Sequence, residues 1–189
     1  NKRQLRLAET EKYPHVTFFF NSGSESPALL ETRFMVSSPK VTTYDEAPEM
    51  SACAITKKLL DVIKNNSFDF ILVNYANPDM VGHTGNLDAT IKACEVVDKC
   101  VGEVYNELKT SGGTLLLTSD HGNCEVMYDP VNQSPHTSHT LNPVPFTVVG
   151  VKGLSSVKDG SLSDIAPTIL DILKIDVPIE MTGKSLLKF

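Results

Sequence analysis

Apolar residues recur along this chain with two different spacings, and the two spacings predict different elements. Within residues 87–108 they recur every three or four positions, which is the strongest helical pattern in the chain, and a second helical pattern covers residues 48–64. Two short and almost unbroken apolar runs, 70–73 and 114–118, are typical of strands buried on both faces. The chain therefore alternates between predicted helices and predicted strands.

Weaker patterns extend this alternation toward both ends of the chain. Residues 15–20 are rich in β-branched and aromatic side chains and predict a strand, and residues 144–149 predict another. Residues 163–173 predict a helix with Ser163 as its cap, and residues 120–143 form a long polar loop of the kind that is usually functional. The alternation indicates an α/β fold in which a mostly parallel sheet carries helices on both faces.

The charge balance argues against two classes of partner. The chain carries 17 Lys and Arg against 23 Asp and Glu, a net charge of −6, so it lacks the basic surface that nucleic acid binding needs. Its apolar runs are far shorter than the roughly 20 residues that span a bilayer. The first dozen residues are too charged for a secretory signal. We therefore expect a cytoplasmic protein with neither a nucleic acid nor a membrane partner.

The four cysteines show no metal-binding or redox spacing. Cys53, Cys94, Cys100 and Cys124 contain no CxxC pair. A domain of 20.6 kDa can bury enough core to fold without cross-links. We expect reduced thiols, as is usual in the cytosol.

Residues of metal-ligand type follow two of the predicted strands. Asp79 and His83 come after the strand at 70–73, and Asp120 and His121 come after the strand at 114–118. Because the carboxyl ends of parallel strands lie along one edge of a sheet, the two Asp-His pairs are expected to share a crevice there. His139, in the polar loop, can reach the same edge.

Aspartate and histidine without cysteine suit a divalent ion that accepts both oxygen and nitrogen, such as manganese or zinc. Five ligands are too many for one catalytic ion and too few for two, since each ion usually takes about three protein ligands. The residues alone therefore predict an incomplete site.

The segments that carry these residues resemble one family closely. They are Asn-Pro-Asp-Met-Val-Gly-His-Thr-Gly at 77–85, Ser-Asp-His-Gly-Asn at 119–123, His-Thr-Ser-His-Thr at 136–140 and Ala-Glu-Thr-Glu-Lys-Tyr-Pro-His-Val-Thr at 8–17. The metal motifs alone would indicate only the alkaline phosphatase superfamily. With the Glu-Lys-Tyr-Pro-His-Val segment, the chain resembles cofactor-independent phosphoglycerate mutase from about Arg6 to its end.

The resemblance implies a role for each matching residue. Asp79, His83 and His139 would hold one manganese ion, and Asp120 and His121 would supply part of a second site; zinc or magnesium would also suit these ligands. The resemblance assigns the second histidine of the His-Thr-Ser-His motif, not His136, as the ligand.

Lys12 matches a lysine that the family uses beside the transferred phosphate. Residues 1–189 would be the C-terminal part of the metal-binding, phosphatase-like domain. The family's N-terminal segment, with its nucleophilic Ser and a further Asp, has no counterpart in the chain, and neither has its inserted phosphotransferase domain. No catalytic nucleophile is therefore expected within this chain.

These matches predict part of a glycolytic isomerase that interconverts 3-phosphoglycerate and 2-phosphoglycerate through a phosphoserine intermediate with two manganese ions. The parent would be monomeric, and the isolated chain is expected to be inactive. Two alternatives remain open. The chain could be a stand-alone metal-dependent phosphatase that uses Ser119 or Ser138, or a non-catalytic metal-binding module.

Overall fold

In a computed structural model, which describes residues 2–189, the most buried strand is β1 (Gln4–Glu9). It is the central strand of a three-stranded parallel sheet, between β2 (Glu31–Val36) and β3 (Phe70–Val73). Gln4 lies opposite both Glu31 and Phe70 in the two registers. The parallel sheet confirms the predicted α/β class, although β1 and β2 escape the sequence pattern.

Strand β1 was missed because it buries charged residues. Arg6 is only 2% exposed, with its guanidinium 4.6 Å from the centre of the Phe20 ring and one nitrogen 2.8 Å from Gln4 Oε1. Glu9 is fully buried and accepts hydrogen bonds from the Ser38 hydroxyl and the Ser51 amide. A buried strand that contains charged residues does not show the apolar spacing by which buried strands are recognised in a sequence.

Two long helices cover the predicted helical patterns. Helix α2 (Ala52–Lys64) packs against both β1 and helix α4 (Leu87–Ser111). The first helix begins later than predicted because Met50 adopts a left-handed φ of 41° just before it. The second ends where expected, before Gly112 with its φ of 78°. Between them, α3 (Asn77–Gly82) follows β3 and packs on α4.

The strand predicted at 15–20 is wrong. Helix α1 (Tyr13–Val16), with Pro14 in its first turn, covers the start of this range, and turns cover the rest. The Thr17 hydroxyl donates to Tyr13 O, and the Asn21 amide donates to Thr17 O. Local hydrogen bonds in this turn therefore override the strand propensity of the aromatic residues.

By their contacts, the residues form two units. The first contains the parallel sheet and α1 to α4, together with residues 121–142, and the second contains residues 112–120 and 143–189. In the polar segment of the first unit, β5 (Tyr128–Asp129) and β6 (Ser134–Pro135) form a short hairpin. This hairpin lies within the predicted loop.

In the second unit, β4 (Leu115–Thr118) pairs antiparallel with β7 (Phe146–Val149). Both strands were predicted, but β4 is half exposed instead of buried on both faces, and the pair is a separate two-stranded sheet. Strands β8 (Ser156–Val157) and β9 (Leu187–Lys188) form another antiparallel pair.

The helix predicted at 163–173 is α5 (Ile165–Ile172), preceded by a 3-10 turn. Its expected cap is wrong, because Asp164 and not Ser163 is the cap residue of α5. The capping interaction lies one turn earlier, in the 3-10 turn, where the Ser161 amide donates to Asp164 Oδ2 at 2.8 Å. Within residues 2–189, no helix is both long enough and apolar enough to cross a membrane.

Candidate metal centre

The first two ligand-type residues lie one turn apart on a short helix. Helix α3 is separated from β3 by three residues and has Pro78 in its first turn, which suits the fixed backbone of proline. The His83 amide donates to Asp79 O at 3.0 Å, so both side chains project from the same side of the turn. Asp79 Oδ1 and His83 Nε2 are 3.1 Å apart.

A backbone bridge brings the third residue to this pair. Gly122 and Thr140 pair antiparallel, and the Thr140 amide donates to Gly122 O at 2.9 Å. His139, next to Thr140, then lies with its Nε2 atom 3.0 Å from Asp79 Oδ1 and 3.1 Å from His83 Nε2. Three of the predicted ligands thus converge, although 60 positions separate His139 from Asp79.

The spacing of these three atoms fits a single divalent ion. Two ligand atoms that each lie about 2.1 Å from one ion are roughly 3 to 3.5 Å apart, which is close to the separations among Asp79, His83 and His139. An oxygen and two imidazole nitrogens form a donor set typical of manganese or zinc. Acceptor atoms held this close repel one another unless a proton or a cation lies between them.

The protein also orients the His83 ring. Its Nδ1 atom is 2.7 Å from Thr137 O, and a carbonyl oxygen can only accept a hydrogen bond. Nδ1 therefore carries the proton of the neutral ring, which leaves the Nε2 lone pair facing Asp79. A backbone carbonyl in this position is a common partner of metal-binding histidines.

Asp79 is held in its charged form. Burial alone would raise its pKa, but hydrogen bonds from Lys12 and Asn123 and the positive charge of Lys12 outweigh burial and lower the pKa of Asp79 to about 2. Lys12 Nζ donates to Asp79 Oδ2, and Asn123 Nδ2 donates to Oδ1 at 2.9 Å. A carboxylate that is ionised at neutral pH is ready to bind a cation.

Asn123 is a contributor that the sequence analysis did not assign. It is 5% exposed and lies against Gly82, where an added Cβ atom would come within 2.6 Å of Asn123 Oδ1. Glycine at position 82 therefore lets the amide approach Asp79. The signal available in the sequence was only its position, two residues after His121.

Glu125 closes the segment that carries His139. It accepts hydrogen bonds from the backbone amide of Asn123 at 2.6 Å, from the Thr140 hydroxyl and from Asn142 Nδ2 at 3.0 Å. The Thr140 hydrogen bond is the main reason that the pKa of Glu125 lies below its ordinary value. This second unassigned residue joins the two ends of the segment 121–142.

The remaining two predicted ligands, Asp120 and His121, lie outside the group formed by Asp79, His83 and His139. His121 Nε2 is 4.0 Å from Asp79 Oδ1, and its ring stacks on His139 with 3.6 Å between ring centres. Asp120 is exposed and follows β4 in the second unit. The expectation that parallel strands of one sheet bring the pairs together is wrong, because β4 and β7 form a two-stranded sheet that is separate from the sheet of β3. His121 reaches Asp79 through the Gly122–Thr140 bridge.

His136 lies outside the converging group. Its backbone amide donates to Met127 O at 3.1 Å in the β5–β6 hairpin. Its Nδ1 atom is buried and has no hydrogen-bond partner among the residues that the structure describes.

The chain is similar in sequence to known proteins that share one name. The chain is 58% identical over 186 residues to the 2,3-bisphosphoglycerate-independent phosphoglycerate mutase of Ruegeria sp. (strain TM1040), a match that covers 98% of this chain and 37% of that protein. It is 55% identical over 188 residues to the enzyme of the same name from Clostridioides difficile (strain 630), covering 98% and 37%. The chain therefore spans about 37% of the length of these relatives.

Solved structures show the same fold. A crystal structure of Leishmania mexicana phosphoglycerate mutase at low cobalt concentration superposes with a TM-score of 0.91 and 29% identity, over 99% of this chain and 37% of that one. The PH0037 protein from Pyrococcus horikoshii matches with a TM-score of 0.57 and 16% identity, over 94% of this chain and 51% of that one, which bears on the fold alone. The expected alkaline phosphatase-like architecture is confirmed.

A family model described as Metalloenzyme superfamily matches residues 1–177. The match covers nearly the whole chain and includes Asp79, His83 and His139. The chain belongs to the Metalloenzyme superfamily.

Proposed function

We propose that this chain supplies a divalent metal site to a cofactor-independent phosphoglycerate mutase. The observation that carries the proposal is the convergence of Asp79 Oδ1, His83 Nε2 and His139 Nε2 to within 3.1 Å of one another. The similarity to mutases at 55–58% identity supports the choice of reaction. The reaction is the interconversion of 3-phosphoglycerate and 2-phosphoglycerate by a cytoplasmic, monomeric enzyme.

The chain's own residues would hold the ion and the phosphate. Asp79, His83 and His139 bind one manganese ion, with Asn123 and Lys12 fixing the two oxygens of Asp79. A bound divalent ion neutralises negative charge on the transferring phosphoryl group and activates the attacking hydroxyl. Lys12, which is 7% exposed, offers a compact positive charge for a phosphate oxygen beside the ion.

The second ion needs residues from outside the chain. Asp120 and His121 are only two ligands, and about three per ion are usual. We propose that a longer protein contributes an Asp and the Ser that becomes phosphorylated during the reaction. The glycerate then accepts the phosphoryl group on its other hydroxyl, which makes the enzyme a mutase and not a phosphatase.

Counting bound manganese tests the site. The folded chain is titrated with Mn²⁺ and bound ions are counted by equilibrium dialysis, with a stoichiometry near one expected. His83→Ala should abolish binding, whereas His121→Ala should weaken it less, because His121 lies 4.0 Å from Asp79 Oδ1. Two equally tight sites, or equal losses in the two variants, would contradict the assignment.

An activity assay tests the reaction. A longer protein that contains this chain should convert 3-phosphoglycerate to 2-phosphoglycerate without 2,3-bisphosphoglycerate, and His83→Ala should abolish the conversion. The chain alone should show none. Hydrolysis of p-nitrophenyl phosphate by the chain, lost in Ser119→Ala or Ser138→Ala, would instead identify a phosphatase. Manganese binding without either activity in the longer protein would identify a non-catalytic module.

A further inference from the structure

Two cysteines that are unrelated by spacing meet beside the candidate metal centre. Cys94 on α4 and Cys124 in the segment that follows β4 place their sulfur atoms 3.8 Å apart, although 30 positions separate them. Both are half-buried, and neither forms a disulfide. The spacing of the cysteines predicted only that the thiols are reduced.

We propose that Cys94 and Cys124 are a site of reversible oxidation, at which a hydroperoxide such as hydrogen peroxide joins the two sulfur atoms in a disulfide. A disulfide bond is about 2.05 Å long, so the sulfur atoms must approach by roughly 1.8 Å. Cys94 lies within the 25-residue helix α4, while Cys124 lies in irregular backbone. The Cys124 side therefore makes most of the movement.

The two thiols have different chemical roles. The hydrogen bond between the two thiols is the main cause that lowers the pKa of Cys124 to about 7, and the same contact raises the pKa of Cys94. Since the thiolate is the nucleophile, Cys124 reacts first. Its sulfur attacks one peroxide oxygen, the O–O bond breaks, and a sulfenic acid and one water form.

The Cys94 sulfur then attacks the Cys124 sulfur. The S–S bond forms as the S–O bond breaks, and the oxygen leaves as a second water with the thiol proton. In balance, two thiols and one hydrogen peroxide give one disulfide and two waters. Each sulfur loses one electron, and the peroxide accepts both. A dithiol such as dithiothreitol reverses the step.

The position of Cys124 links its oxidation to the metal ligands. Its neighbour Asn123 donates to Asp79 Oδ1 at 2.9 Å, and its other neighbour Glu125 holds the Thr140 hydroxyl beside His139. A movement of Cys124 toward α4 displaces its neighbours Asn123 and Glu125. We expect the disulfide to loosen Asp79 and His139 and to weaken metal binding; this consequence rests on the proposed function, whereas the oxidation itself does not.

The other two cysteines provide an internal control. Cys100 is buried and contacts Cys53; burial first, and then this contact, raise its pKa, which disfavours the reactive thiolate. Cys53 is exposed on α2. Neither adjoins a residue that contacts Asp79. One equivalent of peroxide is consumed when Cys94 and Cys124 form a disulfide. Cys53 and Cys100 should therefore remain reduced.

Peptide mapping tests the site directly. The purified chain is treated with one equivalent of hydrogen peroxide, free thiols are alkylated, and the protein is digested with trypsin. The four cysteines fall in four different tryptic peptides, 41–57, 93–99, 100–109 and 110–152. We expect peptides 93–99 and 110–152 to be linked, with a mass two hydrogens below their sum, and to separate again in dithiothreitol.

Matched variants decide the assignment. Cys94→Ser and Cys124→Ser should each abolish the link, and Cys53→Ser should leave it unchanged. Four alkylated thiols after peroxide treatment, or a link that involves peptide 41–57 or 100–109 instead, would overturn the proposal. Circular dichroism of each variant checks that it remains folded.

Metal binding separates the two proposals. After the peroxide is removed, the oxidised chain should bind Mn²⁺ at least tenfold more weakly than the reduced chain, a loss in the range found when a supporting residue is disturbed. Dithiothreitol should restore it, and Cys124→Ser should not respond. An unchanged affinity in the linked chain would overturn the coupling. If the reduced chain binds no manganese but forms the link, the proposed function fails and the oxidation site stands.

Discussion

Lys12 Nζ donates a hydrogen bond to Asp79 Oδ2, although 67 positions separate the two residues. The side chains are 9% and 15% exposed, so the pair is largely removed from water. Two elements that each follow a strand of the parallel sheet supply them, the 3-10 turn after β1 and helix α3 after β3. The ion pair therefore joins two residues that are far apart in the sequence and gives the Asp79 carboxylate a buried counter-charge.

Replacing this lysine should destabilise the metal-free chain. Lys12→Met leaves a buried carboxylate with its hydrogen bond from Asn123 but without its counter-charge. We expect a loss of about 3 kcal/mol in the free energy of unfolding, measured by urea denaturation. The matched control is Lys64→Met, because Lys64 is 58% exposed and lies 3.8 Å from Glu107; its loss should stay below about 1 kcal/mol. Equal losses would contradict a special role for Lys12.

Asn123→Ala should weaken manganese binding without removing a ligand. The substitution deletes the hydrogen bond to Asp79 Oδ1, and partners of metal ligands typically contribute 10- to 100-fold in affinity. We expect the dissociation constant measured by titration to rise roughly tenfold. Asn65→Ala, on an exposed residue at the end of α2, should change nothing. An unchanged affinity in Asn123→Ala would show that Asp79 is oriented without it.

Two glycine substitutions should act in opposite directions. At Gly102, inside α4, an added Cβ atom meets nothing within 4 Å, so Gly102→Ala should stabilise the chain by roughly 0.5 to 1 kcal/mol through helix propensity. At Gly122 the same atom would overlap the side chains of Thr140 and Glu125, which close the segment that carries His139. Gly122→Ala should lower both the unfolding free energy and the manganese affinity. Thermal unfolding and titration check the pair.

The buried Glu9 should make stability depend on pH. Burial raises its pKa above the ordinary value of 4.5, in spite of hydrogen bonds from Ser38 and Ser51. The folded chain then binds more protons than the unfolded chain, so the contribution of Glu9 to stability falls as pH rises from about 4.5 to its folded pKa.

Glu9→Gln removes this titration. Relative to the variant, the natural chain should lose stability across that window with a slope no steeper than about 1.4 kcal/mol per pH unit. Urea denaturation at several pH values gives the difference, which should be constant above the window. A difference that instead grows in favour of the natural chain as pH rises would contradict the raised pKa.

The spacing of apolar residues was enough to predict the elements in which buried side chains recur regularly along the chain. Helix α4 was predicted from residues 87–108 because one continuous face of the helix packs against its neighbours. Strand β3 was predicted because it is uninterrupted by charge. The chemistry of Asp79, His83 and His139 was also readable from the sequence, since ligand type and motif are properties of the residues themselves.

Only the tertiary structure decided which residues meet. Strand β1 hides its burial behind Arg6 and Glu9, whose partners are distant in the chain. The hydrogen bond from Asn123 to Asp79 and the contact between the sulfur atoms of Cys94 and Cys124 both depend on how the segment 121–142 packs against α3 and α4. Local spacing encodes the period of an element, but contacts between elements depend on packing and on hydrogen bonds between residues far apart in sequence, which no single stretch of the chain contains.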